Sequence, residues 1–545
     1  MSTAGMIQSS HQGGNSAGSN QKYLRITHEG GLNNAPLPFW RKLCFAIGGA
    51  PYQITCTVIG FFLNIFLLEV ALLKPRYVSI ILFSGNAWDA VTDPLIGIFV
   101  QKTNTRWGKM RPWIIFSAPI ACATYFFLFY VPWEPTLVDG LEKYTSSEIV
   151  RFIYYLIIFC AFQGFLSCLH VPYTSLTMAV TSQQKERDQI TFMRMGLETT
   201  GVLLAVFIQG LFVSDTRCDG DEDLPKNSTN IETQKDAYTH GSLVVVIIYM
   251  LCCLTTFFGT RERKGIVEVK KEDHKGFFSG IKLVFTFKPY VWASLTFLFM
   301  TIAIQIAQSN VALFCTHTIK EGSELTKFIL VLLVCAIFSM PFWQFLIVKF
   351  GKKTAYAIGM GLMIPTFMTQ MYIPAHSTAI YYVIMVFAGL SISVAFLLPW
   401  SVLPDVLDLY MLEKKKRHDA LFYSFYVFFN KLASGIALAA SQIALELGGY
   451  INGKCKQPDS VGYTLRMLMT PGPVVLVVIA LWCLYMYPID EKMRKSIKER
   501  VHDHTVKLNA NEDVLEGQFS KSYDSFSPSE ERPASMERSP SDTEI

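Results

Sequence analysis

The residues that could do chemistry are a few charged side chains inside long apolar segments. Asp89 and Asp93 are four positions apart, so they share one face of a helix. Two carboxylates this close repel each other, and both stay ionised only beside a cation. Thr92 adds a hydroxyl, and Pro94 frees a backbone carbonyl for coordination. The group therefore predicts a cation site for sodium; a proton carried by either carboxyl, or a pair that merely neutralises a basic residue, is the alternative.

A single lysine lies at a matching depth in another apolar segment. Lys431 and Asp89 each lie about twelve residues into their segments, which at ~1.5 Å per residue places both near the middle of a bilayer. Lys431 can pair with the acids when the cation is absent and contact an anionic substrate group when the cation takes the acids. That exchange would couple ion and substrate. The alternative is a permanent salt bridge that holds two parts of the protein together.

Three more ionisable residues lie inside apolar segments, where each charge costs about 2.5–3.5 kcal/mol. Arg194 and Glu198 are also four positions apart, which favours a self-neutralising pair and leaves open an inner gate or a substrate contact. His170 precedes Pro172 near the end of its segment. It is either a structural hydrogen-bond donor or a residue that faces the cation region.

The elements that must position these residues are membrane helices. The chain has 545 residues, of which 51% are hydrophobic and only 17% charged, against roughly 25% charged in soluble domains. Apolar runs of about 20 residues recur, and each can cross a hydrocarbon core of roughly 30 Å as a helix. We predict an all-α membrane protein with twelve spans near 43–68, 77–101, 112–132, 152–171, 189–213, 241–259, 289–317, 327–349, 353–374, 377–401, 419–447 and 467–487.

The loops between these segments alternate in charge. One set is basic, as in Arg106 and Lys109, and the other is acidic or balanced, which places the basic set and both termini in the cytosol. The outer set holds a glycosylation sequon at Asn227. Cys218 and Cys455 also fall in outer loops, where an oxidising exterior could join them; two free thiols are the alternative.

The two halves of the chain repeat, which is the build of a major facilitator carrier with its site between two six-helix halves. Basic turns with glycine follow the second and eighth segments, at Gly108 and Gly351, and prolines end the fourth and tenth, at Pro172 and Pro399. The predicted domains are a disordered N-terminus at 1–40, helical halves at 41–260 and 289–488 joined by a linker at 261–288, and a disordered tail at 489–545.

The cavity of such a carrier would be short of hydroxyl partners. Phe61, Phe62, Phe66 and Phe165 predict an apolar cleft that suits an amphiphile with a charged head, since burying an acyl chain contributes about 0.8 kcal/mol per methylene. No enzyme motif is evident, and no cofactor is expected beyond sodium as the coupling ion. The net charge of +5 comes from loop residues and does not indicate nucleic acid binding.

The tail predicts one further partner. It ends in Ser541-Asp542-Thr543-Glu544-Ile545, which could add a strand to a PDZ-type domain, and an unbound tail is the alternative. We expect a monomer in the plasma membrane, with the endoplasmic reticulum as the other location.

Several motifs resemble the sodium-dependent lysophosphatidylcholine symporters, and the likeness covers about 40–490. They are Gly48–Gln53, Ala87–Pro94, His170–Tyr173, Phe314–Thr316, Leu397–Ser401, Leu403–Val406, Ser424–Phe429 and Tyr487–Asp490. A more distant resemblance, in the paired acids and in Trp107–Trp113, is to the sodium–melibiose permease group. The resemblance implies sodium-coupled uptake of lysophosphatidylcholines with long acyl chains, including docosahexaenoate, by alternating access at the plasma membrane.

The resemblance also implies roles for single residues. It places Asp89 and Asp93 at the sodium site, with Thr92 and Ser167 nearby, and Lys431 near the lipid phosphate. It further implies that Cys218 and Cys455 form a disulfide.

The chain departs from this family at two positions. Family members carry Glu in the fourth and seventh spans where this chain has Gln163 and Gln308, which changes the charge around the head group and makes it a diverged member. A related branch exports sphingosine 1-phosphate and lacks the paired acids, so Asp89 and Asp93 argue against that substrate. A cation–sugar symporter and an uncoupled lipid scramblase also stay open.

Overall fold

The computed structural model describes residues 37–138, 141–180, 184–213, 231–262, 285–414, 419–452, 454 and 456–501. The predicted glycosylation site Asn227, both cysteines of the predicted disulfide (Cys218 and Cys455), most of the predicted linker and the PDZ-type terminus lie outside these residues. We call residues 37–262 the first half and residues 285–501 the second half.

Long helices dominate the described part of the chain. In the first half they are α1 Phe39–Ile47, α2 Ala50–Val58, α3 Pro75–Lys102, α4 Arg111–Phe129, α5 Glu148–Val180, α6 Gln184–Val213 and α7 Ile231–Gly259. In the second half they are α8 Lys288–Phe314, α9 Leu325–Phe350, α10 Lys352–Tyr372, α11 Thr378–Lys414, α12 Asp419–Leu447, α13 Asp459–Met469 and α14 Pro471–Met486. The π-helical turns Ile59–Leu63 and Phe66–Val70 continue α2, and the π-helical turn Cys315–Ile319 continues α8.

A helix lies at each of the twelve predicted segments. Within the described residues, ten helical stretches are long and apolar enough to cross a membrane. The two that fall short are α3, which carries the paired acids, and α10, which begins with two lysines. The count of twelve spans therefore stays a prediction, while the helical membrane architecture is established.

Two helices run past their predicted ends. The sequence predicts that prolines end the fourth and tenth spans near 171 and 401, whereas α5 continues to Val180 and α11 to Lys414. Both helices carry these prolines internally, at Pro172 and at Pro399 and Pro404. Proline is tolerated inside membrane helices because neighbouring helices and side chains satisfy the freed backbone groups.

The sequence did not predict a short β-hairpin between α4 and α5. Strands β1 Pro135–Val138 and β2 Leu141–Tyr144 pair antiparallel, with Pro135 opposite Tyr144. The Tyr144 hydroxyl donates to the carbonyl of Val70 at 2.6 Å, so the hairpin caps the first helical span. We call this end of the bundle the hairpin end, and the opposite end, with the loop at 103–110, the basic end.

The apolar core shows how the halves meet. One buried cluster fills the first half and continues at the hairpin end into the second half, through residues such as Phe314, Phe328 and Leu465. A separate cluster fills the second half near the basic end, around Phe297 and Trp343. The halves are therefore sealed together at the hairpin end, whereas their described residues form no common core at the basic end, so the cleft between them opens toward the basic end.

Two glycine turns confirm the predicted repeat. Gly108 has φ +111° and Gly351 has φ +84°, a region that side chains with Cβ rarely adopt. Each turn joins a pair of helices at the basic end, α3 to α4 and α9 to α10. The same sharp reversal is thus built at the same place in each half.

The predicted boundary of the disordered tail at 489 is too early. Residues 491–501 are helical, and Ile489 and Ile497 are buried against the second half. Arg494 donates to the Glu491 carboxylate within this helix, which lowers the pKa of Glu491 below its ordinary value. The sequence does not predict this helix because the buried apolar residues Ile489 and Ile497 are separated by many charged residues.

A close helix contact in the second half gives a stability prediction. A Cβ at Gly389 in α11 would lie 2.4 Å from the carbonyl oxygen of Leu332 in α9, so the backbones would have to separate. We expect Gly389→Ala to destabilise the protein by about 1–3 kcal/mol, as overpacking does. Thermal unfolding in detergent, followed by tryptophan fluorescence, measures this.

The matched control is Gly361→Ala in α10, where a Cβ meets nothing within 4 Å. We expect this variant to unfold at or above the wild-type temperature, because alanine favours helix over glycine. Equal unfolding temperatures for the two variants would show that the α9–α11 contact is not tight.

Candidate functional site

Helices α3 and α12, from opposite halves, pack against each other and bring the predicted charges together. The Nζ atom of Lys431 lies 2.7 Å from Oδ2 of Asp89 and 2.5 Å from Oδ2 of Asp93. The one-turn spacing of the acids on α3 turns both carboxylates toward the same ammonium group. This is the pairing that the sequence predicts for the cation-free site.

Further oxygen atoms surround the acids. Ser167 of α5 donates to Oδ1 of Asp89 at 2.7 Å, and its hydroxyl lies 3.2 Å from that of Thr92. Pro94 has no N–H, so the carbonyl of Ala90 loses its helical hydrogen bond beside the acids. Oδ1 of Asp93 is buried and has no hydrogen-bond partner in the described part of the chain. These oxygens are the donor type that sodium prefers, and one of them is still unsatisfied.

The charges of the site do not cancel. With both carboxylates ionised, two negative charges face the one ammonium of Lys431, and the net charge of −1 is what one monovalent cation would neutralise. The side chain of Asp89 is 14% exposed, that of Asp93 is 21% exposed and that of Lys431 is 16% exposed. All three therefore line the cleft. The site can therefore exchange an ion with the open side.

An aromatic pair that the sequence did not single out lies next to the acids. His170 of α5 stacks on Tyr52 of α2, with ring centroids 3.8 Å apart. Asp93 and Lys431 are close enough to act electrostatically on His170, and Asp89 acts on Cys56, one turn beyond Tyr52. Arg194 acts on His170 in the same way, so a role for His170 toward the cation stays a prediction. The one-turn spacing of Tyr52 and Cys56 on the first span is the signal that could have identified them.

The second predicted ion pair stays within the first half. Nε of Arg194 donates to Oε1 of Glu198 at 2.6 Å along α6, and the guanidinium lies 5.0 Å above the ring of Tyr173. All of these contacts are made by the first half, so this geometry favours the self-neutralising pair. A role in gating or substrate contact stays a prediction.

Both predicted glutamines lie near the centre of the bundle. Gln163 is buried on α5, one turn before Ser167 and on the same face. Gln308 of α8 is half buried, and a Cβ placed on Gly60 in the first half would lie 2.5 Å from its side-chain nitrogen. Gln308 therefore stands where the two halves touch.

The predicted acyl-chain cleft is wrong for most of its phenylalanines. Phe62 and Phe66 are fully buried, and Phe61 is 6% exposed. Phe66 packs against the rings of Phe129, Tyr155 and Tyr238 inside the first half. Residues 61–68 are all buried, so every face of this part of the first span, including its π-helical turns, lies in the core. Phe165 is partly buried and packs on the same core.

The hairpin end holds a polar contact between the halves that the sequence did not reveal. Nε2 of His317, on the π-helical turn after α8, lies 2.7 Å from Oε1 of Glu69 at the end of the first span. The Tyr450 hydroxyl lies 3.5 Å from the same oxygen. Asn64 donates to the carbonyl of Ser309 at 2.8 Å, one layer deeper. These bonds reinforce the apolar seal. Glu69, an acid at the end of an apolar run, was the available signal.

The chain matches known proteins over most of its length. Residues 44–491 match the family described as MFS/sugar transport protein. The chain is 41% identical over 482 residues to sodium-dependent lysophosphatidylcholine symporter 1-B of Danio rerio, covering 85% of this chain and 89% of that one. It is 36% identical over 476 residues to the sphingosine-1-phosphate transporter MFSD2B of Xenopus tropicalis, covering 85% and 90%.

Solved structures show the same fold. A bacterial homologue of the human lysosomal transporter Spinster, in an inward-facing and unoccupied conformation, aligns with a TM-score of 0.60 at 15% identity and covers 83% of this chain and 97% of that one. At this identity the likeness concerns the fold alone.

Proposed function

The chain belongs to the family of MFS/sugar transport proteins, and from this premise we propose that it is a sodium-coupled symporter that imports lysophosphatidylcholine carrying long-chain fatty acids across the plasma membrane. The names of its similar relatives support sodium and this lipid class. The observation that carries the proposal is the bridge from Lys431 to Asp89 and Asp93, because it ties a cation site in one half to a cationic side chain in the other.

The geometry supports a coupling mechanism based on exchange of partners. In the described state the ammonium of Lys431 occupies the carboxylates. A sodium ion that binds Asp89 and Asp93 competes with that ammonium and releases it. The freed ammonium is then available to a lipid phosphate in the cleft. Binding of either cargo thus favours binding of the other, which is the reciprocity that coupled transport requires.

We infer the orientation from the loop charges. The basic end faces the cytosol by the positive-inside rule, so the described state is open toward the cytosol and closed outside. In this orientation the carrier releases its cargo toward the cytosol, and the ammonium of Lys431 takes the place of the departing ion at the carboxylates. Reopening of the hairpin end would admit the next lipid and sodium, with the two halves rocking about the central site.

The functional test is uptake of labelled lysophosphatidylcholine by cells that express the chain. We expect uptake in sodium medium to fall at least about tenfold when choline replaces sodium, since the site must bind a small monovalent cation and choline is too large to enter between the carboxylates. Undiminished uptake without sodium would contradict symport and favour a scramblase.

The same cells test the substrate class. Labelled sphingosine 1-phosphate and a labelled free sugar are offered under identical conditions, because one similar relative is named for sphingosine 1-phosphate. We expect both to be taken up poorly relative to lysophosphatidylcholine. Preferential handling of sphingosine 1-phosphate would replace the proposed substrate while leaving the carrier fold intact.

A further inference from the structure

The loop between α3 and α4 at the basic end is held rigidly. Thr105 and Gly108 bond to each other through backbone hydrogen bonds of 3.3 and 3.1 Å, and the Thr105 hydroxyl donates to the carbonyl of Gly108 at 2.7 Å. The carboxylate of Glu262 accepts three successive backbone N–H groups, from Lys109 at 2.7 Å, Met110 at 2.8 Å and Arg111 at 2.9 Å. The loop therefore presents its outward side chains from a fixed frame.

Those outward side chains form a concave surface far from the central site. It has a volume of about 350 Å³ and is lined by Thr105, Arg106, Trp107, Pro112 and Phe116. Trp107 is 51% exposed and Phe116 is 64% exposed, although their rings lie 6.1 Å apart. Trp107 also packs edge-on against Phe257, which fixes its ring while leaving one face open. A fixed, exposed tryptophan at the end of a membrane helix lies at the level of lipid head groups.

The charge beside this surface is positive. Lys102, Arg106 and Arg261 are exposed, and within the described residues none of them forms an ion pair. The nearest acid is Glu262, whose two oxygens already accept the three backbone N–H groups. Arg111 donates instead to the carbonyl of Phe257. The surface thus offers unneutralised cations beside apolar rings, which matches a ligand with a negative head and an apolar body.

We propose that this surface binds an anionic glycerophospholipid of the surrounding bilayer, with Arg106 at its phosphate and with Trp107 and Phe116 against its glycerol and first methylenes. The lipid is a bound regulator or anchor, not the transported cargo, because the surface lies outside the cleft and apart from Lys431. An anionic head group is favoured over a zwitterionic one because, among the described residues beside this surface, the exposed cations Lys102, Arg106 and Arg261 outnumber the one acid, Glu262. Basic residues at a membrane surface attract such lipids.

The test is native mass spectrometry of the full chain purified in detergent and mixed with phosphatidylserine or phosphatidylcholine at equal concentrations. We expect the wild type to retain phosphatidylserine preferentially. Arg106→Gln should lower that retention about fivefold, the loss expected for one cation at an anionic surface. Trp107→Ala should lower the retention of both lipids, because both carry the glycerol and methylenes that its ring contacts, whereas Arg106→Gln should lower phosphatidylserine retention more than phosphatidylcholine retention.

The matched control is Lys414→Gln, which removes an exposed cation at the end of α11, away from Trp107 and Phe116 in the chain. It should retain phosphatidylserine as the wild type does. Equal retention of the two lipids by the wild type overturns the proposal. Retention of phosphatidylserine at the wild-type level by Arg106→Gln also overturns it. Arg106 is exposed, so this variant should fold even if Trp107→Ala does not. Neither result bears on sodium-dependent uptake, so the two proposals fail separately.

Discussion

Asp93→Asn will raise the sodium concentration for half-maximal uptake at least about tenfold. The change removes one of two ionised ligands, and a hydrogen bond or ligand contact to a charged group contributes about 1.5–3 kcal/mol, where 1.4 kcal/mol corresponds to tenfold. The amide removes the charge that both oxygens of Asp93 share, including the buried Oδ1, which has no partner in the described part of the chain. Uptake of labelled lysophosphatidylcholine against sodium concentration measures the effect.

Lys431→Gln will lower the sodium concentration for half-maximal uptake. Without the ammonium that lies 2.7 and 2.5 Å from the two carboxylates, sodium has no competitor for them. The sodium concentration for half-maximal uptake should therefore fall about tenfold. Maximal uptake should fall as well, because the cationic partner for the lipid phosphate is gone. Opposite shifts in the two variants distinguish exchange of partners from a permanent salt bridge.

The control is Asp236→Asn, the same chemical change at an exposed position on α7. It should leave the sodium dependence unchanged. If Lys431→Gln lowered protein stability without altering sodium affinity, the lysine would be a structural bridge and the coupling mechanism would be wrong.

Glu69→Gln will loosen the hairpin end. The Glu69 carboxylate holds His317 at 2.7 Å across the two halves, and His317 is 1% exposed, so the amide leaves a buried imidazole with a weaker partner. A loss of about 1.5–3 kcal/mol shifts the balance toward the state open at that end by about tenfold or more. Hydrogen–deuterium exchange of residues 306–319 in nanodiscs should accelerate accordingly.

Glu324→Gln is the matched control for this change. Glu324 lies at the same end, but its bonds to Lys327 and Tyr382 stay within the second half. Exchange of residues 306–319 should be unchanged in this variant. If Glu69→Gln and Glu324→Gln behaved alike, the contact to His317 would not hold the halves together.

The charged centre could be predicted from the sequence because few physical rules are needed. Helical periodicity places Asp89 and Asp93 on one face, and the rise per residue places Lys431 at the same depth. The cost of isolated charges in lipid then leaves little choice of partner, and the structure shows the bridge. Ser167 entered only through family resemblance, since no local spacing links α5 to α3.

The parts that could not be predicted depend on which face of a helix meets which neighbour. The sequence predicts a cleft lined by Phe62 and Phe66, but every face of the first span is buried there, and hydrophobicity alone does not distinguish a ring in the core from a ring that lines a cleft. Glu69 and His317 are 248 positions apart, and they meet because the halves are closed at one end. Such a contact forms in one conformation of the carrier, and no local sequence pattern predicts it.

The continuous apolar seam at the hairpin end implies where the turnover time is spent. To open the hairpin end, residues such as Phe314 and Phe328 must separate from the first half. This exposes apolar surface, which is unfavourable whether or not lipid and sodium are bound. A carrier with bound lipid and sodium can offset this free-energy cost with ligand contacts, but a carrier without them cannot. The return of the empty carrier should therefore limit net flux, and one-for-one exchange of lipid across the membrane should outpace it.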